Sequence, residues 1–201
     1  MNTADYLLQH AADDDVVFVT PKAKYRYKDL LQAVDVLTDI FLSAGIKKGE
    51  RIGILGSNSL FWAASYISAM KVGAMAGQIE QTGCRAVCVE NKLLAKYAPS
   101  IPKGSNIIGE ESLEQTRYVS TPGSFPDMAN HEDAAWMLTS GTTAKPRITR
   151  VTHANIQANT DSIIQYLELT RADRILSILP FYYCYGTSLL HTHLRVGGSL
   201  T

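Results

Sequence analysis

Residues 138–153 read LTSGTTAKPRITRVTH. The run Ala134–Leu138 just before them is strand-like, and it stops at hydroxyls grouped around one glycine: Thr139, Ser140, Gly141, Thr142 and Thr143, with Lys145 and Arg147 following. A strand that ends this way offers backbone N–H groups and side-chain O–H donors to one small volume. Phosphate oxygens need such a volume, because several short donors can then surround them without a bulky side chain between. Lys145 and Arg147 add positive charge within reach. The same residue types also build plain polar turns, so the loop has to be interpreted with its surroundings. A P-loop requires a Gly-Lys pair followed directly by Ser or Thr, whereas Lys145 here stands between Ala144 and Pro146. Pro146 lacks an N–H and disfavours helix at Lys145, so the loop does not run straight into a helix. Gly53–Ser59 fails the same test.

Upstream, strand patterns alternate with helix patterns. Val16–Val19 and Tyr25–Tyr27 predict two short strands around a turn at Pro21 and Lys22. Leu30, Val34, Leu37, Ile40, Phe41 and Ala44 recur at three- and four-residue steps, which places them on one face of a helix that Gly45 can end in the left-handed conformation. Arg51–Leu55 is a compact strand, Gly56–Asn58 a turn, and Leu60–Val72 a helix rich in Ala and Ser, suited to close packing on a sheet. The pattern recurs with Arg85–Val89, Lys92–Tyr97 and a short apolar piece at Ile107 and Ile108, and Glu110–Glu132 is expected to be a polar surface connection. Downstream, Val151 leads into a helix that begins near His153, Ile175–Leu179 is expected to be a strand, and Ser188–Leu194 a further helix. This alternation predicts an α/β layered architecture, a largely parallel sheet with flanking helices.

Composition bounds the function. The 201 residues suffice for one full-sized domain. At 46% hydrophobic and 19% charged, the chain can build a buried core. Nineteen basic and nineteen acidic side chains cancel, which removes the electrostatic footprint of a dedicated nucleic-acid binder, so an anionic ligand has to be held locally. Cys84, Cys88 and Cys184 lack metal-ligand spacing and any Cys-x-x-Cys, and are expected to be reduced and mostly buried thiols. Met1–Thr20 carries Asp13, Asp14 and Asp15 where a signal peptide needs an apolar core, and an uncharged apolar run of about 18 residues is absent. The expectation is a cytoplasmic protein with no membrane span. His191 and His193 lie two apart and do not share a helix face as metal ligands would. His153 follows Thr152 at an expected helix start, where a capping hydroxyl is the plainer role. No metal ligand and no catalytic side chain is assigned.

The stretch Thr139–His153 resembles the signature of the adenylate-forming superfamily, which comprises acyl-CoA synthetases, aryl-CoA ligases, luciferases and the adenylation domains of peptide synthetases. That signature runs Thr-Ser-Gly-Thr-Thr-Gly-x-Pro-Lys-Gly, with Thr-His a few residues on. Ala144, Arg147 and Ile148 depart from it, standing where the family has Gly, Lys and Gly. Arg147 keeps the charge in a planar fork, while Ala144 and Ile148 give up the φ > 0 freedom of glycine and should stiffen the loop. The layout from Tyr25–Leu30 through Gly49–Ile54 to Ala69–Ala74 is similar to the family's N-terminal hairpin, amphipathic helix, strand, Asn-Ser turn and Gly-Ala helix end. Leu179–Gly186 is similar to the family's Leu-Pro-aromatic segment that borders the acyl group, with Tyr183 where the family often has His. On its own that segment would also read as a packed aromatic patch.

The resemblance implies ATP-dependent activation of a carboxylic acid as an acyl-adenylate with release of pyrophosphate, then transfer to coenzyme A or the pantetheine of a carrier protein. Thr139–Thr143, Lys145 and Arg147 would hold the ATP phosphates. Tyr182, Tyr183, Tyr185 and Gly186 would border the acid. Mg²⁺ would be bound mainly by residues outside this chain, which is expected to be the incomplete N-terminal large domain of such a ligase, residues 1–201, without the small C-terminal domain. After Ala76 the family's Pro-containing stretch is contracted. A catalytically inactive module that keeps the fold for protein interaction or regulation is the alternative.

Overall fold

The computed structural model describes residues 1–77, 83–114, 128–139 and 147–201. In chain order the elements are α1 (Thr3–Leu8), β1 (Val16–Val19), β2 (Lys24–Arg26), α2 (Tyr27–Ser43), β3 (Arg51–Leu55), α3 (Leu60–Lys71), β4 (Met75–Gly77), β5 (Ala86–Val89), α4 (Asn91–Tyr97), β6 (Asn106–Gly109), β7 (Asp133–Thr139), β8 (Arg147–Thr152), α5 (His153–Leu167), β9 (Arg174–Ile175), α6 (Cys184–Val196) and β10 (Ser199–Leu200). Short 3-10 turns cover Ala98–Ser100 and Glu110–Glu114.

The described strands form two sheets where the sequence predicted one. The larger runs β6-β5-β3-β4-β7-β8 and is parallel up to β7, with the edge strand β8 antiparallel. The smaller runs β2-β1-β10-β9, with β10 parallel to both of its neighbours. The class is α/β as expected, with largely parallel sheets flanked by helices. The second sheet escaped the sequence reading because it joins the first strands of the chain to the last, and no local pattern records that closure. In the larger sheet the chain leaves β3 toward β4 and leaves β5 toward β6, in opposite directions.

Each element follows from its residues. Ala86–Val89 is buried along its whole length, as a parallel strand covered on both faces must be. Helix α2 buries Leu30, Val34, Leu37 and Phe41. Its first turn is closed by the Asp29 carboxylate accepting from the Arg26 N–H at 2.6 Å. It stops where Gly45 takes φ +71° and Ile46 N–H donates to the Phe41 carbonyl at 3.0 Å, the left-handed ending expected for that glycine. Helix α3 is buried from Phe61 to Met70. Ala63, Ala64, Ser65, Ser68 and Ala69 let β3 and β4 approach on one side and α1 and α2 on the other.

The structure corrects several boundaries. Ile175–Leu179 is not a five-residue strand: β9 spans Arg174–Ile175, paired with Ser199 and Leu200 of β10. Arg147–Thr152, of which only Val151 was read as leading into a helix, is a strand paired with β7 from Asp133 to Thr139; its β-branched Ile148, Thr149, Val151 and Thr152 were the available signal. Helix α6 starts at Cys184, four residues before the predicted Ser188. Cys84 and Cys88 are buried as expected, but Cys184 is exposed. Burial pushes the Cys88 thiol up to about 12. In the connection Glu110–Glu132, Met128 is buried and residues 115–127 lie outside the described residues.

Leu37 is fully buried in the core, whereas Tyr166 on α5 is 85% exposed. Leu37→Ala is expected to cost about 2–5 kcal/mol of unfolding free energy and Tyr166→Ala less than about 0.5 kcal/mol, measured by urea titration.

Candidate functional site

The parallel strands of the larger sheet end on one side of the molecule. There Thr139 and Arg147 form the last paired position of β7 and β8, in register Leu138↔Ile148 and Thr139↔Arg147. The hydroxyl- and glycine-rich segment is therefore tied at both ends to the carboxyl edge of the sheet. Ser140, Gly141, Thr142, Thr143 and Lys145 lie outside the described residues. Ile148, expected to stiffen the loop, stands in extended pairing with Leu138 and belongs to the ladder.

Beside this edge, the turn after β3 is held from inside by a carboxylate. Glu90, at the end of β5, is 2% exposed. It accepts from the Ser57 N–H at 3.0 Å, the Ser57 hydroxyl at 2.9 Å and the Ser59 hydroxyl at 3.1 Å. Lys92 closes the group at 2.7 Å. Burial works to raise the Glu90 carboxyl, but the hydrogen bonds from Lys92 and Ser57 outweigh it and hold the group below the ordinary carboxylate range. The same turn projects Asn58 toward the segment that follows β9. The Asn58 Nδ2 donates to the Leu179 carbonyl at 2.9 Å and to Ser177, while its Oδ1 accepts from the Phe181 N–H at 2.7 Å.

That segment leads into the four residues expected to border an acid. Tyr182 shares a cavity of about 30 Å³ with Trp62, Tyr66, Met137, Phe181 and Thr187. Tyr185 lines a cleft of about 440 Å³ with Val151, Asn155, Asn159, Cys184 and Ser188. The two spaces share Met137 and Thr187. The smaller has room for little more than a water molecule, so of these two spaces the cleft is the one that can take a carboxylic acid of ordinary size. Tyr183 is half exposed, caps α6 and packs on Tyr182 with ring centroids 4.7 Å apart. Gly186 is buried, and a Cβ there would collide with the carbonyl of Pro180. Its role is to let that backbone come close. The Thr187 hydroxyl donates to the Phe181 carbonyl and, at 3.0 Å, to that of Tyr183.

His153, His191 and His193 are buried and bonded within the protein, and His191 also lines the cleft beside Tyr185. His153 is fully buried; its Nδ1 accepts from the Thr3 N–H at 3.3 Å and contacts the Thr3 hydroxyl at 2.8 Å, and burial holds its pKa down. Thr152 caps α5, accepting from the Asn155 N–H at 3.2 Å. His191 lies 3.1 Å from the Tyr66 hydroxyl, and burial pushes its pKa down to about 3, so it stays neutral. His193 is buried with Nδ1 on the Leu189 carbonyl at 3.0 Å. Among the described residues no group of three or more His, Cys, Asp or Glu is placed to hold a metal ion. Nor is any described helix long and apolar enough to cross a membrane.

A family model described as AMP-binding enzyme matches residues 8–201. The chain belongs to that family. Among curated relatives, the acyl-CoA ligase sidI of Beauveria bassiana is 25% identical over 215 residues, covering 90% of this chain and 37% of the ligase. A naringenin synthase of Pestalotiopsis fici is 27% identical over 216 residues, covering 91% of this chain and 8% of the synthase. The chain thus spans well under half the length of these relatives. Among solved structures, the inhibitor-bound N-terminal domain of FACL13 from Mycobacterium tuberculosis superposes with a TM-score of 0.87 at 20% identity, covering 99% of this chain and 56% of that one. The likeness is one of fold.

In this member of the family, sequence reasoning singled out the tyrosines and missed the polar groups bonded to the segment before them. Asn58 was read only as part of the Asn-Ser turn and Glu90 not at all, and their partners lie 123 and 33 residues away. The available signal was the run of Ser57, Asn58 and Ser59 at a strand end, residues that bond backbone groups readily.

Two outcomes follow for stability. Gly→Ala inside a helix ordinarily stabilises, but the Pro180 carbonyl reverses the sign at Gly186. Gly186→Ala should cost about 1–3 kcal/mol by denaturant titration. Because the folded-state pKa of Glu90 lies below its unfolded value, its stabilisation is present above about pH 4.3 and is lost as pH falls through the folded value. Glu90→Gln should therefore cost about 1.5–3 kcal/mol at pH 7, and the gap to wild type should close as the pH is lowered below about 4.

Proposed function

We propose that the full-length protein activates a carboxylic acid with ATP, forming an acyl-adenylate and pyrophosphate, and passes the acyl group to a thiol of coenzyme A or of a carrier-protein pantetheine. The chain contributes the first part of the large domain. The observation that carries this reading is the match of residues 8–201 to the AMP-binding enzyme family, joined to a hydroxyl-rich segment whose ends, Thr139 and Arg147, are paired at the carboxyl edge of a parallel sheet. The name of the relative from Beauveria bassiana, an acyl-CoA ligase, supports coenzyme A as acceptor.

In this reading Thr139, Ser140, Gly141, Thr142, Thr143, Lys145 and Arg147 hold the β- and γ-phosphates. The acid carboxylate attacks the α-phosphorus, the bond to the β-phosphate bridging oxygen breaks, and pyrophosphate leaves. The protein's part in such a displacement is positioning and charge stabilisation. The cleft beside Tyr185 receives the acid, and Tyr182 and Tyr183 form its approach. Mg²⁺ accompanies the nucleotide; the described residues hold no group of three or more His, Cys, Asp or Glu for it, and no step of this reading is assigned to it.

A second reading, an inactive module kept for interaction or regulation, draws support from Ala144 and from Ile148, which stands in the β7–β8 ladder where the family signature has glycine.

Acid-dependent exchange of labelled pyrophosphate into ATP separates the two readings. Full-length protein should catalyse it with at least one acid from a panel of aliphatic, aromatic and amino acids. Thr142→Ala and Thr143→Ala should each lower the rate about ten- to a hundredfold, the value of a hydrogen bond to a charged group. Absence of exchange across the whole panel would establish the inactive module instead.

A further inference from the structure

Among the described residues, the segment between β9 and α6 is held by hydrogen bonds more than by burial. Beyond β9, Ser177 N–H donates to the Thr201 carbonyl at 2.8 Å. Leu176, Ile178 and Leu179 are exposed, so core packing does not fix them. The first residue of the segment to enter the core is Phe181, whose ring lies 5.5 Å from Trp62 and 6.4 Å from Phe18. Hydrophobic contact of this kind is non-directional and leaves the rotation and register of the backbone open.

Asn58 supplies the direction. Its carboxamide donates to the Leu179 carbonyl and accepts from the Phe181 N–H, two residues apart, the same pair of bonds that a neighbouring strand would make. The donor–acceptor order fixes the orientation of the amide, since a flipped carboxamide would set oxygen against carbonyl and N–H against N–H. Asn58 is in turn fixed by its own turn, which Glu90 grips through Ser57 and Ser59. A Cβ at Gly56 would lie 3.1 Å from the Glu90 carboxylate, so the turn is packed directly on that group. A buried carboxylate at the end of β5 thus reaches, through one amide, the residue directly before Tyr182.

We propose that Asn58 is a positioning residue for the acid-binding wall, acting through Leu179 and Phe181 to set where Tyr182, Tyr183 and Tyr185 stand. This rests on the acid-activation reading above. Asn58 is not itself placed against the acid. Its influence is confined to the side of the site that the aromatic segment forms, while the β7–β8 end is tied by its own ladder. The acid and the nucleotide therefore depend on it unequally.

Two measurements on the full-length protein test this. In Asn58→Ala, exchange of the Phe181 amide hydrogen should quicken about tenfold or more, with the amides of α3 unchanged. In pyrophosphate exchange the KM for the acid should rise roughly three- to tenfold, the value of the lost hydrogen bonds, with the KM for ATP within about twofold. Asn58→Asp keeps the acceptor for Phe181 but turns an oxygen toward the Leu179 carbonyl, and should be no better than alanine. Asn58→Ala with an unaltered Phe181 amide overturns the positioning role, whatever the activity. An equal rise in both KM values overturns its selectivity for the acid. Failure of the wild type to exchange pyrophosphate with any acid sinks the acid-activation reading, and the acid wall with it, while a quickened Phe181 amide would still identify Asn58 as the clamp.

Discussion

Helix α3 is buried from Phe61 to Met70, between the larger sheet on one side and α1 and α2 on the other. A helix buried on all sides cannot be amphipathic, and this one is apolar all round, with small residues where neighbours come closest. Its burial fixes β3 and β4 relative to α2, and with them the carboxyl edge of the sheet. Trp62 and Tyr66 stack at 5.2 Å, and Tyr66 in turn faces His191 of α6. The helix therefore also sets the distance between the larger sheet and the last helix of the chain. The candidate cleft lies in the space this leaves.

The N-terminus of the same helix is where the polar links begin. Ser59 caps it, accepting from the Trp62 N–H at 3.1 Å, and the preceding turn carries the contacts to Glu90 and to the segment after β9. Buried polar groups are costly unless paired, and paired ones are directional. The division of labour follows. Apolar burial holds the layers together, and a few hydrogen bonds hold the exposed segment after β9.

The alternation of strands and helices was legible in the sequence because each element carries its own period and its own punctuation. Helix α2 could be placed from Leu30 to Phe41, and Gly45 marks its end. The signature around Gly141 identified the family, and the family match agrees with that identification. Legibility failed where an element depends on a distant partner. Strand β9 was drawn too long because Leu176, Ile178 and Leu179 look like strand residues, whereas the residues paired with β10 are Arg174 and Ile175. Strand β8 was missed because its six residues stand directly before a helix start and acquire strand character by pairing with β7. The four residues expected to border an acid were legible as a group of aromatics and a glycine, but not their separation into a small cavity, a wider cleft, an exposed cap and a close backbone approach.

The sequence by itself determined the local chemistry: donors clustered around a glycine, cations beside them, a proline that bars a helix there, and an aromatic run after a Leu-Pro step. These are properties of neighbours along the chain, where spacing is set by covalent geometry. The tertiary structure alone decided that the described strands form two sheets and that a carboxylate just after β5 holds the turn after β3. It also decided that Asn58 meets Phe181. Such contacts join residues tens to more than a hundred positions apart, and they exist only after the core has brought their elements together, so no window of sequence contains them.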